Sequence, residues 1–203
     1  MIPITLASIF TGPEAAPNGM LYDLPLKPVG LALGVALLVG HLIALWKQPL
    51  FTRMLPKFPR STMAGMLLLT LATLWALLIV WRIDLGELQP FRLQLMCAVV
   101  VLYGLAIWQM REFLAVRALG MLFLLGAEVL LDAAFLRLEP SRLFLPVLAY
   151  GWVMAGLFWI GMPWLLRDHI EWVVAKAWRY RATCALGIAY GAVVLGCALF
   201  FYT

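Results

Sequence analysis

Apolar positions along the chain gather into six long runs separated by short polar breaks, at 28–46, 62–81, 93–109, 114–135, 144–166 and 182–202. Each run approaches the roughly 20 residues that cross about 30 Å of hydrocarbon as a helix. Lipid offers no partner to a backbone N–H or C=O, so each run must close its own hydrogen bonds as an α-helix, and no alternating β-barrel pattern competes. The pattern predicts an all-α integral membrane protein, a bundle of about six transmembrane helices with short loops. Residues 1–27 form a short extracytoplasmic segment and residues 28–203 a single domain.

Punctuation at the breaks agrees with these limits. Ser61 follows Pro59 and Arg60 and can cap the second helix, Pro90 and Pro140 stand before the third and fifth, and Trp46, Trp81, Trp108 and Trp164 fall at run ends, the headgroup level. The turn around Arg111 and Glu112 makes the third and fourth helices a tight antiparallel pair. The first twenty residues lack a basic flank and are interrupted by Pro3, Pro13 and Pro17, which argues against a cleaved signal peptide.

Composition sharpens the class. Of 203 residues 65% are apolar and only 12% charged, with a mean hydropathy of +0.99, against roughly 25% charged in a soluble domain. The net charge of +5 comes from 15 Lys and Arg scattered between apolar runs. No basic face is assembled, and nucleic acid is excluded as a partner. The distribution of those charges sets the orientation. Lys47, Arg53, Lys57, Arg60, Arg111, Arg167, Lys176, Arg179 and Arg181 fall on one side, and Lys27, Arg82, Arg92, Arg137 and Arg142 on the other. Cytoplasmic loops retain Lys and Arg, so both termini are expected outside the cytoplasm, in a bacterial inner (plasma) membrane.

The link between the fifth and sixth runs reads RDHIEWVVAKAWRYR and puts Ile170, Val173, Val174 and Ala177 on one helical face. It fits an interfacial amphipathic helix or a cytoplasmic prolongation of the fifth span. Two long basic links lie at non-equivalent places in the two three-helix halves, so no parallel or inverted repeat of the transporter kind superposes them.

The fourth run carries Arg117, Glu128 and Asp132. Spacings of eleven and four residues set all three on one helical stripe, although Arg117 and Glu128 stand about 16 Å apart along the axis, too far to pair directly. An ionisable group in a span needs a reason. Either Glu128 and Asp132 form a proton or cation step, or the stripe serves buried ion pairing and docking while Arg117 snorkels to the cytoplasmic face.

His41 and His169 are the two histidines, both toward the cytoplasmic side, with nothing in their spacing to make them a haem pair. Cys97, Cys184 and Cys197 sit in apolar runs without metal-type spacing and read as packing residues. No GxSxG, HExxH or phosphate-binding glycine loop is present. Neither a metal nor a cofactor is expected. Gly30 and Gly34, Gly187 and Gly191, and Gly151, Gly156 and Gly161 mark faces where helices can approach closely, within the chain or against another.

These features favour a structural or accessory subunit of a larger membrane complex, with the bilayer and other membrane subunits or further copies as partners. A small proton- or cation-coupled transporter or channel using the acidic stripe is the alternative. An interface enzyme acting on a lipid or quinone near His41 and His169 is a third reading.

Overall fold

The computed structural model describes residue 22 and residues 24–109, 112–135 and 139–202. Residues 1–21, with the prolines argued against a signal peptide, lie outside it, as do Asp23, Arg111 and Arg137. The described residues form eight α-helices and no strands: α1 (Leu26–Trp46), α2 (Gln48–Met54), α3 (Thr62–Arg82), α4 (Arg92–Gln109), α5 (Leu114–Ala134), α6 (Phe144–Gly161), α7 (Trp164–Val174) and α8 (Ala177–Phe200). Short 3-10 turns precede α3, α4 and α6. Six of the helices, α1, α3, α4, α5, α6 and α8, belong to segments long and apolar enough to cross a membrane.

Helix limits follow local chemistry. The Ser61 hydroxyl accepts the Ala64 N–H at 3.2 Å and caps α3, as its position suggests. Helix α6 ends at Gly161, five residues before the apolar run does, because Met162 leaves helical geometry and Pro163 cannot donate a backbone hydrogen bond. The next helix, α7, is therefore a separate element, not a prolongation of α6. Helix α8 begins at Ala177, five residues before its apolar run, since Trp178, Arg179, Tyr180 and Arg181 are too polar to count as a span yet form helix readily.

Helix α5 is the centre of the bundle. It packs along α6 and α3, touches α1, and buries nine residues, among them Ala115, Val116, Ala118 and Ala127. Helix α4 packs on α3 at the periphery, and Arg92 is its one buried residue. Helices α1 and α8 form a second intimate pair. A Cβ placed on Gly34 would lie 2.8 Å from the Leu195 nitrogen, and one on Gly191 would lie 2.8 Å from the Leu38 nitrogen. Both glycines are where the two backbones meet, so this face packs within the chain. Gly156 and Gly120 do the same between α6 and α5, whereas Gly151 and Gly161 face open space.

The two pairs are fastened together at one end only. There Leu26, Ala134, Leu145, Val194, Ala198 and Tyr202 form a cluster, extended by Val29 and Leu33 against Ala127, Leu130 and Ala149. At the other end, which carries the basic links, the short elements intervene. Leu55 and Phe58 pack with Leu166 and Ile170 of α7 against Val116 of α5. This basic end is where the bundle is left hollow.

Candidate functional site

Two places hold the candidate residues singled out in the sequence. The first is on α5. The Asp132 carboxylate accepts the backbone N–H of Tyr22 at 2.9 Å, and the Tyr22 hydroxyl accepts the Trp75 indole N–H of α3 at 2.6 Å. Tyr22, ahead of α1, is thereby tied to both α3 and α5. Burial pushes the Tyr22 phenol above its ordinary range, with the Trp75 hydrogen bond acting the other way. Glu128, one turn before Asp132, is half-buried and takes no hydrogen bond from the described residues. Arg117 keeps a buried Nε without a hydrogen-bond partner among the described residues. No ion pair joins Arg117, Glu128 and Asp132; among the described residues Arg167 pairs with Asp168 and Glu171 instead.

The α5 stripe is thus one anchored carboxylate, one carboxyl with no described hydrogen bond and one distant guanidinium. Asp132→Ala is expected to release the Tyr22 amide at a cost on the order of 1.5 kcal/mol, read as roughly tenfold faster hydrogen exchange at that amide. An unchanged exchange rate would show that the carboxylate does not anchor the segment.

The second place is a pocket of about 460 Å³ at the basic end. Its walls come from α1, α2, the turn after it, α7 and α8. Helix α1 supplies Ala36, Gly40 and Ala44, three small residues four apart on one face, which leave the space. Helix α7 closes it from the side with the apolar face of Ile170, Val173 and Val174, while Arg167, Asp168 and Glu171 stay toward solvent. The size lies within the range of small-molecule sites, and the lining is almost wholly apolar.

Both histidines line this pocket, His41 from α1 and His169 from α7. Sequence spacing treats them as isolated residues, since 128 positions separate them; the fold brings both to one pocket, from different helices. His41 is held in place. Its Nδ1 lies 2.7 Å from the Leu37 carbonyl oxygen and its ring rests on Gly187, where an added Cβ would fall 2.3 Å from Cδ2. A carbonyl can only accept, so Nδ1 carries the hydrogen and Nε2 of the neutral ring is an acceptor. The Tyr180 hydroxyl donates to the Ala44 carbonyl at 2.8 Å and pins α8 to α1 across the same wall.

Around the pocket the basic residues are dispersed. Arg181 donates to the Gln48 side chain at 3.3 Å, and Arg179 stacks on Trp172 with its guanidinium carbon 4.4 Å from the ring centre. No group of three His, Cys, Asp or Glu side chains among the described residues could hold a metal ion. The sequence signals that point to the pocket are the Ala36, Gly40, Ala44 stripe and the break at Pro163, which frees α7 to fold across it. Comparison of the chain with protein-family models, with curated proteins and with solved structures gives no match.

Proposed function

We propose that this chain is an inner-membrane protein, with both termini extracytoplasmic, that binds an apolar-tailed molecule drawn from the cytoplasmic side of the bilayer. The observation that carries the reading is the pocket. An apolar space of about 460 Å³ lies at the basic end, beneath an amphipathic helix, with two histidines in its wall. A hollow of that size lined by hydrocarbon forfeits packing energy unless something fills it. The basic links beside it, Lys47, Arg53 and Lys57 on one and Lys176, Arg179 and Arg181 on the other, belong to the side that anionic lipid attracts.

Gly40 gives a clean test, because it lines the pocket and a Cβ added to it meets nothing within 4 Å. Gly40→Phe is expected to fill the space and leave the melting temperature unchanged. Native mass spectrometry of the chain extracted in mild detergent should show an amphiphile at one per chain on the wild type and none on the variant. Equal lipid retention by the two would overturn the reading.

A second reading, as an accessory subunit of a larger membrane complex, is favoured by Glu128, whose carboxyl receives no hydrogen bond from the described residues. A neighbouring subunit's helix would supply a partner at that depth. The same extraction decides it. Stoichiometric foreign subunits lost in Glu128→Gln support it, and a chain free of them removes it.

A further inference from the structure

Three polar groups of the pocket wall, on α1 and α8, share one property. His41 gives its Nδ1 hydrogen to the Leu37 carbonyl at 2.7 Å, Tyr180 gives its hydroxyl hydrogen to the Ala44 carbonyl at 2.8 Å, and Thr183 gives its own to the Arg179 carbonyl at 3.0 Å. All three line the pocket. With those hydrogens committed, what they can offer a ligand is lone pairs: Nε2 of the imidazole and the two hydroxyl oxygens. The His41 Nε2 has no hydrogen-bond partner among the described residues and is not among the occluded atoms. On the α1 and α8 side of the pocket, committed donors leave acceptors, and His169 of α7 lines the other side.

The charge in the wall is equally informative, since no Lys, Arg, Asp or Glu among the described residues lines the pocket. On the α1 and α8 side a phosphate or carboxylate head would lose its water and face lone pairs. An ammonium head would have to enter through the end of the molecule where the basic links lie. A ketone or ester turned to that side would present a further acceptor to acceptors. What remains complementary to His41, Tyr180 and Thr183 is an uncharged head that donates.

We propose that the pocket selects a neutral amphiphile whose head is a hydroxyl donor, a phenol, hydroquinone or long-chain alcohol, with its O–H directed to His41 Nε2 and its tail along the α1 stripe of Ala36, Gly40 and Ala44. Gly187 is the positioning element, since any side chain there would displace the imidazole. This inference rests on the pocket being an amphiphile site, and the test separates the failure of one from the failure of the other.

The probes are 4-nonylphenol, 4-nonylanisole and nonylbenzene, equal in tail and differing in the head: O–H, O–CH3 and none. Binding to the detergent-solubilised full chain is measured for each. The phenol is expected to bind about tenfold more tightly than either of the others, the margin one hydrogen bond to a preorganised acceptor supplies. In His41→Phe, which keeps an aromatic ring over Gly187, the three should bind alike. Equal binding of all three to the wild type would overturn donor selection and leave the pocket reading standing. No binding of any of them to the wild type would overturn both. Binding that persists in Gly40→Phe would place the ligand elsewhere and overturn both as well. The wild-type comparison needs no variant to fold.

Discussion

Gly34→Leu is expected to lower the stability of the chain by about 3 kcal/mol, the upper range for overpacking, because the obstacle is backbone. A Cβ at residue 34 would lie 2.8 Å from the Leu195 nitrogen and 2.9 Å from its Cα, and three further carbons of leucine must go the same way. No rotamer of a neighbour relieves that. Helix α8 must move off α1, and with it goes the contact of Gly191 with Leu38 and Gly34. The Tyr180 bond to Ala44 and the seat of His41 on Gly187 lie further along the same pair, so pocket binding should fall together with stability. Gly151→Leu on α6 is the control, since a Cβ there meets nothing within 4 Å. Reversible unfolding in mixed micelles with increasing dodecyl sulfate reads both. A Gly34→Leu variant as stable as Gly151→Leu would mean that α1 and α8 do not pack as closely as described.

The contrast between those glycines shows what the sequence can and cannot disclose. Apolar runs are legible because the bilayer imposes one rule, internal hydrogen bonding, on every residue that crosses it. Which face of a helix meets which partner is not legible, because lipid and protein interior are equally apolar and hydropathy assigns the same value to both. Gly34 and Gly151 look alike in sequence; one meets backbone and the other open space. The ends of α6 and α8 were displaced for a related reason, since a span limit marks where polarity begins and a helix limit where the hydrogen bonding stops. The α5 stripe was legible as a set of positions. The hydrogen bond from Tyr22 to Asp132, 110 residues apart, was not. Nor was the pocket, which arises from five elements each unremarkable alone.

Arg92→Met is expected to cost about 3 kcal/mol or more, although the side chain counts in the sequence only as a charge on the side opposite the basic links. Arg92 is 2% exposed. Its guanidinium donates to the carbonyls of Trp81 and, at 2.9 Å, Ile83, and to the Gln89 side-chain oxygen at 2.6 Å. Trp81 is in the last turn of α3 and Ile83 follows it, so the arginine satisfies carbonyls that the helix leaves without intrahelical partners, with a cation at the negative end of the helix dipole. It does so from the first residue of α4, where its charge opposes that helix's own dipole. The magnitudes decide the conflict: a helix-dipole penalty of about 0.3–1 kcal/mol against charge-assisted hydrogen bonds worth about 1.5–3 kcal/mol each. Methionine fills much of the volume, donates nothing, and leaves the Trp81 and Ile83 carbonyls without the guanidinium in a link that joins α3 to α4. Arg92→Lys should recover only part of the loss, because one nitrogen cannot span the acceptors that two guanidinium nitrogens reach. The same micelle unfolding checks the order wild type, lysine, methionine. A methionine variant within about 1 kcal/mol of wild type would show that water reaches those carbonyls and that the arginine is not their cap.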